Sequence, residues 1–447
     1  MLDKKYLREH PEEAKQALAK RGPEFPALVD DFLRVDEQRR GLQVKLDQLR
    51  AARKAESKEI GSLMKAGQAE EVETKKAQVG SINQDIAKIE AEQKQLDQQE
   101  RELLMAPPNF CHESVPEGGE DQAVVVKEWG EPRKFDFTPK DHLELCAELQ
   151  LVNFEAGARL SGSGFPVMHG LGALLQRALI DFMLDCAIER GYTELRTPFM
   201  VHPRCAEGTG QLPKFGGEMY HVSVLGQPPP DDVAPGQPHF FLIPTAEVTI
   251  CNYYRGQLLE APRLPVKLCG YSPCWRVEAG SYGKEARGLT RVHQFDKVEL
   301  VRVSDPQQSW DDLEQLTDEA EAILAELKLP YRRKVLPTGD MTFGSAKTYD
   351  VEVHCPAEDT WREVSSASNT TDYQARRMNL RFRRERGAKP EYPHLLNASA
   401  LALPRLVIAV LENYQTAESC VAVPQCLKPY MGGLAEITPP DDAVPFV

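Results

Sequence analysis

The side chains best suited to chemistry cluster in the middle of the chain. Arg276 and Glu278 end one strand-like run beginning at Gly270. Arg291, His293, Phe295 and Glu299 belong to a second, 288–300, with a Gly-rich stretch between the two. On a strand, residues two apart share a face, so Arg276 and Glu278 are expected side by side. A buried Arg needs an anion, and Glu278 can be that anion in a purely structural pair. The same residue types also suit a nucleotide: a guanidinium for a phosphate, a carboxylate for an amino group on the base, and an aromatic ring to stack on it. On this segment alone both readings stand. Thr245 and Ser399, by residue type alone, are ordinary backbone caps.

Two unlike parts of the chain must position these groups. In the first, Leu28, Phe32, Val35, Arg39, Leu42, Leu46, Leu49, Arg53, Glu56, Ile60 and Leu63 step alternately by four and three. Val79, Ile82, Ile86, Ile89, Gln93, Leu96, Glu100 and Leu103 keep the rhythm. That repeat marks a coiled-coil seam. The turn residues Lys65-Ala66-Gly67-Gln68 between the two runs predict an antiparallel hairpin over about 28–104. Its surface carries Arg34, Arg40, Lys45, Arg50 and Lys54 among acids. Such a face is either plainly solvated, with the hairpin a scaffold, or a lever that meets RNA phosphates. Pro107 and Pro108 end it. The expected division is an N-terminal domain over 1–110, a Gly/Pro-rich acidic linker over 111–135, and a mixed domain over 136–447. Strand-like runs such as Phe240–Ile243 and Tyr349–Val353 recur irregularly, without a GxGxxG or GxxxxGK[ST] loop. An α+β domain on an antiparallel sheet is therefore expected, not a doubly wound one. The Pro-rich stretch 222–239 should loop out.

The chain has 447 residues, a formal net charge of −14 and 10 cysteines. That charge argues against a general polyanion binder but not against local basic patches. No Cys/His spacing suits structural zinc, and the scattered thiols read as reduced. No apolar run is long enough for a membrane span, and the start, Met1–His10, does not resemble a signal or transit peptide.

The segment 270–300 resembles motif 2 of class II aminoacyl-tRNA synthetases, and in detail that of the seryl-tRNA synthetase family. The resemblance extends over essentially the whole chain. It includes the hairpin arm, Gly208-Thr209-Gly210-Gln211-Leu212-Pro213, Thr245-Ala246-Glu247, Ala346-Lys347-Thr348-Tyr349-Asp350, Arg362-Glu363-Val364-Ser365-Ser366, and Pro429-Tyr430-Met431-Gly432-Gly433. It implies a coiled-coil arm joined to a class II catalytic domain. Serine is activated by ATP to seryl-adenylate and transferred to the 3′-terminal ribose of tRNA(Ser), with tRNA(Sec) a second possible acceptor. Thr245, Ala246, Glu247, Arg276, Glu299 and Ser399 would bind serine. Arg276, Val277, Glu278, Phe295, Glu363, Val364, Ser365, Ser366 and Arg405 would meet ATP. Glu363 and Ser366 would hold Mg²⁺ through the nucleotide, and Arg276, Glu363 and Arg405 would carry catalysis. Arg34, Arg40, Lys45, Arg50 and Lys54 would touch tRNA. A helix over about Leu171–Arg190 resembles motif 1, the homodimer element, and the resemblance implies a cytoplasmic enzyme. Ala398, Ala400 and Pro404 replace glycines of many relatives in motif 3, so an altered pocket is expected there. A paralogue that binds RNA or protein without aminoacylating is the alternative. Keeping Arg276, Glu278, Glu299, Glu363 and Arg405 together argues against it. A coiled-coil scaffold with an unrelated second domain is disfavoured by the ordered motifs.

Overall fold

The computed structural model describes residues 1–226, 238–278 and 287–440. They form two compact units, Met1–Pro108 and Asn109–Val447.

In the first unit, helices α1 (Pro26–Ala66) and α2 (Ala69–Met105) pair along their length. At 1.5 Å per residue they run about 60 and 55 Å. Gly67 ends α1 at φ +75°, its N–H donating to Leu63 and Met64 carbonyls; glycine takes that left-handed cap without strain. Val35, Leu42 and Leu96 are buried in the seam with Ile89 and Leu103 against them. Polar seam positions are matched across it. Arg39 Nε lies 2.5 Å from Asp97, Gln93 donates to Gln43 at 2.7 Å, and Lys75 meets Glu56 at 2.7 Å. Internal glycines Gly41, Gly61 and Gly80 lie on open helix surface.

The second unit is built on an eight-stranded sheet of β1 (Val124–Trp129), β2 (Thr193–Glu194), β3 (Val266–Trp275), β4 (Gln294–Ser304), β5 (Tyr331–Val335), β6 (Lys347–Cys355), β7 (Thr360–Asn369) and β8 (His394–Ala402). The order is β1-β5-β6-β7-β8-β4-β3-β2. Every pairing is antiparallel except β2 with β3. Helices α3 (Gly170–Glu189), α4 (Glu247–Asn252), α5 (Ser309–Glu326), α6 (Tyr373–Met378) and α7 (Leu403–Tyr414) pack around it. The large core joins α3, α5 and α7 to β4, β6, β7 and β8. The apolar face of α7, including Leu406, Ile408, Val410 and Leu411, is fully buried there. No helix among the described residues is long and apolar enough to cross a membrane.

The segment 111–135, expected as a linker, contains the edge strand β1. Its residues are all exposed, so no inward apolar alternation marks it. It is held by pairing with β5 and by Lys127, which reaches Glu321 at 2.5 Å and Asp318 at 3.1 Å. Most of the Pro-rich stretch 222–239 lies outside the described residues, as does the Gly-containing loop 279–286.

Candidate active site

Two register shifts shape the sheet where the candidate residues gather. Between β4 and β8, Val298 pairs with Leu401 but Glu299 with Ser399, skipping Ala400. Between β6 and β7, Val351 pairs with Ser365 but Glu352 with Glu363, skipping Val364. Each inserts an extra residue and re-aims its neighbours. On a regular strand Glu363 and Ser366, three apart, would face opposite ways. Here both are partly exposed while Val364 and Ser365 between them are buried.

One cluster forms around Glu247 and Glu299. Lys297 is buried on β4; its Nζ lies 2.5 Å from Glu299 Oε2 and donates to Thr245 Oγ1 at 2.8 Å. The Glu299 contact is an ion pair between two buried side chains. Thr245 Oγ1 also accepts from the Glu247 backbone N–H at 3.2 Å. It is thus both the expected cap and a member of the cluster. Gln374 on α6 donates to Glu247 Oε1 at 2.6 Å and to the Thr209 carbonyl at 3.0 Å. Burial first, and then the charge of Glu299, pushes the Glu247 carboxyl up to about 7; Gln374, Lys297 and Asn397 oppose the rise.

Arg276 lies just past β3. Its Nε donates to the Pro244 carbonyl at 3.4 Å, and its guanidinium sits 5.1 Å from the Phe295 ring centre. The expected same-face pairing with Glu278 does not form. The strand ends at Trp275, Glu278 turns to φ +51°, and its carboxylate pairs with Arg291 at 3.5 Å. Val277 N–H donates to the Glu218 carbonyl at 3.1 Å. Phe295 lines a cavity of about 250 Å³ with Leu289, Val292, Pro404 and Val407.

The second cluster surrounds Glu363. Arg405, in the first turn of α7, donates to the Glu363 carbonyl at 2.8 Å and to its carboxylate at 3.1 Å. Asp350 pairs in register with Ser366. Burial, followed by the Glu363 charge, holds the Asp350 carboxyl well above the usual carboxylate range. Its Oδ1 is buried without a hydrogen-bond partner among the described residues. The two clusters touch through β8: Ser365 Oγ donates to the Ser399 carbonyl at 2.5 Å, and Ser399 is the register partner of Glu299.

Three expected contributors do not turn side chains to this site. Ala246 and Val364 lie in apolar cores, and the Ser365 hydroxyl is spent on Ser399. Ala398 and Ala400 are also fully buried in the core, so their extra methyl groups fill protein interior. Pro404 falls at the start of α7, where its missing N–H has no helical partner to lose. Lys297 and Gln374 were not anticipated, and Asp350 was named only within a resembling motif, without a role. Lys297 stands two residues before Glu299 on a strand, a spacing that could have marked it; Gln374 has no local signal.

On the arm, Arg34 pairs with Asp31 at 2.7 Å, Arg40 with Asp36 at 2.9 Å and Arg50 with Glu90 at 2.9 Å. Lys45 and Lys54 are exposed, with no ion pair among the described residues.

Comparison with known proteins matches this geometry to a family. Residues 1–111 match the seryl-tRNA synthetase N-terminal domain, and 233–414 the class II tRNA synthetase core domain for G, H, P, S and T. The chain is 46% identical over 433 residues to a serine–tRNA ligase of Desulfitobacterium hafniense, covering 97% of this chain and 99% of that protein. It is 47% identical over 443 residues to the serine–tRNA ligase of Neisseria meningitidis, covering 98% and 99%. The crystal structure of seryl-tRNA synthetase from Pyrococcus horikoshii complexed with ATP superposes with a TM-score of 0.89 at 36% identity, covering 99% of this chain and 100% of that one. With its helical arm, its antiparallel sheet and these full-length relatives, the chain belongs to the seryl-tRNA synthetase family of class II aminoacyl-tRNA synthetases.

Proposed function

We propose that the two clusters divide the synthetase reaction between them: the Glu247–Lys297–Glu299 cluster receives serine, and the Glu363–Arg405 cluster receives ATP. The observation carrying this reading is the buried arrangement around Lys297. The Glu299 carboxylate at 2.5 Å and the Thr245 hydroxyl at 2.8 Å meet one buried ammonium, and the Glu247 carboxyl shares its electrostatic environment. Serine brings a hydroxyl that can donate to Glu299 and an ammonium that can meet Glu247. Alanine lacks the hydroxyl and forfeits that hydrogen bond in a buried site, which disfavours it.

Arg276, anchored on the carbonyl just before Thr245, holds serine's carboxylate and the α-phosphate together against their mutual repulsion. A carboxylate oxygen of serine attacks the α-phosphorus. The bond to the β-phosphate oxygen breaks, and pyrophosphate leaves. The terminal ribose hydroxyl of tRNA then attacks the seryl carbonyl and AMP departs. No general base is needed in the first step, since the attacking carboxylate is already ionised. Glu278 serves the adenine amino group, Phe295 stacks on the base, and Arg405 holds the terminal phosphate. Glu363 and Ser366, with the orphaned oxygen of Asp350 behind them, are hard oxygen donors of the kind Mg²⁺ prefers. Mg²⁺ bound with ATP would neutralise phosphate charge.

The arm's cations would meet tRNA(Ser), because exposed ion pairs such as Arg50–Glu90 are weak enough to be exchanged for phosphates. A second copy would seat along α3. A cleft of about 700 Å³ beside it carries both signs of charge, Arg177 and Arg196 against Asp181, Asp185 and Glu194, as a self-complementary two-fold contact requires. The site of action is the cytoplasm.

ATP–pyrophosphate exchange with each amino acid in turn tests the assignment. Serine alone should support exchange, and Arg276→Ala should abolish it in a protein that stays folded. Normal exchange in that variant removes Arg276 from the mechanism.

A further inference from the structure

The strongest concentration of positive charge in the chain lies outside both clusters. Residues 376–389 hold seven Lys or Arg and a single acid, Glu385, in a chain whose net charge is −14. Three of the seven are committed to structure. Arg377 is buried, donating to the Tyr373 hydroxyl at 2.7 Å and to the Glu207 and Leu212 carbonyls. Arg376 pairs with Asp372 at 2.8 Å. Arg384 takes both neighbouring acids, Asp305 at 2.9 Å and Glu391 at 3.0 Å.

Arg381, Arg383, Arg386 and Lys389 remain, with no ion pair or hydrogen bond to their side chains among the described residues. They sit on one β-hairpin, closed where Phe382 and Glu391 exchange backbone hydrogen bonds at 2.8 and 2.9 Å. Phe382 is fully buried in the core behind it. Strand alternation therefore turns Arg381 and Arg383 to the other face, about 6.6 Å apart. Both are half-buried, and the Nε of each is shielded from solvent without an acceptor. Glu260 is the register partner of Arg383, yet forms no ion pair with it. Arg386 and Lys389 are exposed around the turn at Gly387. A shielded guanidinium without an anion is unfavourable, so this face is built for an anion supplied from outside.

We propose that the hairpin 381–391 is a docking surface for the sugar-phosphate backbone of tRNA, separate from the arm. The occupant is RNA because its chemistry is what the face lacks: a row of phosphates for a row of unpaired cations, two of them forked guanidiniums suited to phosphate oxygens. This rests on the reading that the chain charges a tRNA. The contacts carry no sequence readout; they position the acceptor.

Two double variants of the full chain, R381A/R383A and R386A/K389A, test it. A serine-accepting tRNA transcript is titrated against each while salt is raised. Each variant should bind about tenfold more weakly than the unmodified chain at about 0.1 M salt. The slope of log K against log salt should flatten by about one per cation removed. Serine-dependent exchange should stay within about twofold, and R381K/R383K should keep the slope. Unchanged tRNA affinity and slope in both double variants overturns the proposal. So does a weakening that leaves the slope unchanged or that R381K/R383K fails to restore, since either marks a packing role. Failure of the functional reading shows separately, as loss of serine-dependent exchange in the unmodified chain.

Discussion

Arg405 Nη1 holds both the backbone carbonyl and the carboxylate of Glu363, tying the first turn of α7 to β7. The two side chains are partly exposed, at 26% and 44%, so the pair adds little to stability, under about 1 kcal/mol. On the proposed assignment it holds a phosphate-binding cation beside a metal-binding acid. Arg405→Ala should lower exchange on the order of 10²- to 10³-fold while the thermal midpoint barely moves. Glu363→Gln should need about tenfold more Mg²⁺ for half-maximal exchange. A magnesium titration of exchange at fixed ATP measures both.

The Glu247 carboxyl is pushed up to about 7 from an ordinary 4.5, by burial and then by Glu299. Below about 7 it becomes protonated and, on the proposed assignment, would meet serine's ammonium less well. KM for serine should therefore climb about tenfold per pH unit below that point. The stability sign is opposite. A raised carboxyl favours the folded state while protonated, and that stabilisation is lost as pH rises from 4.5 through 7. Glu247→Gln should thus gain about 1 kcal/mol at pH 8 while losing exchange. Serine KM against pH, with thermal melts at pH 8, checks both signs.

Lys297 is the counter-charge for two carboxylates in the same pocket. Lys297→Met should destabilise the second unit by about 3 kcal/mol and abolish exchange. Adding Glu299→Gln should recover stability, because one buried charge goes, but not activity. Denaturant titrations of the single and double variants read the coupling.

Leu46, 1% exposed, lies on the arm's seam. Leu46→Ala should cost about 2–4 kcal/mol in the hairpin and hasten proteolysis between residues 26 and 105. Exchange should be unaffected and tRNA charging reduced. Deleting about residues 30–100 should likewise spare adenylate formation and cripple charging. Equal loss of both steps would refute the lever role.

The arm could be read residue by residue because a coiled coil is a local pattern. Leu42, Leu46, Ile86 and Leu96 repeat at 3.5-residue spacing, and that spacing already fixes which face is buried. The residue types of the site were visible by another route: Thr245, Glu247, Arg276, Glu299, Glu363 and Arg405 fall in motifs whose order along the chain resembles the family's. Edge strand β1 was hidden by its exposure on both faces, which leaves no alternation to detect.

Sequence alone set the α+β class through short-range periodicity, and singled out these groups through the resemblance of its ordered motifs to the family. Tertiary structure decided which groups meet. The skipped residues Ala400 and Val364 bring Glu299 to Ser399 and Glu363 to the side of Ser366. The end of β3 at Trp275 sends Glu278 to Arg291 and away from Arg276. Gln374 reaches Glu247 across 127 residues of chain. A bulge, a strand end and a long-range hydrogen bond are each settled by packing between distant segments, and no window of neighbouring residues contains that information.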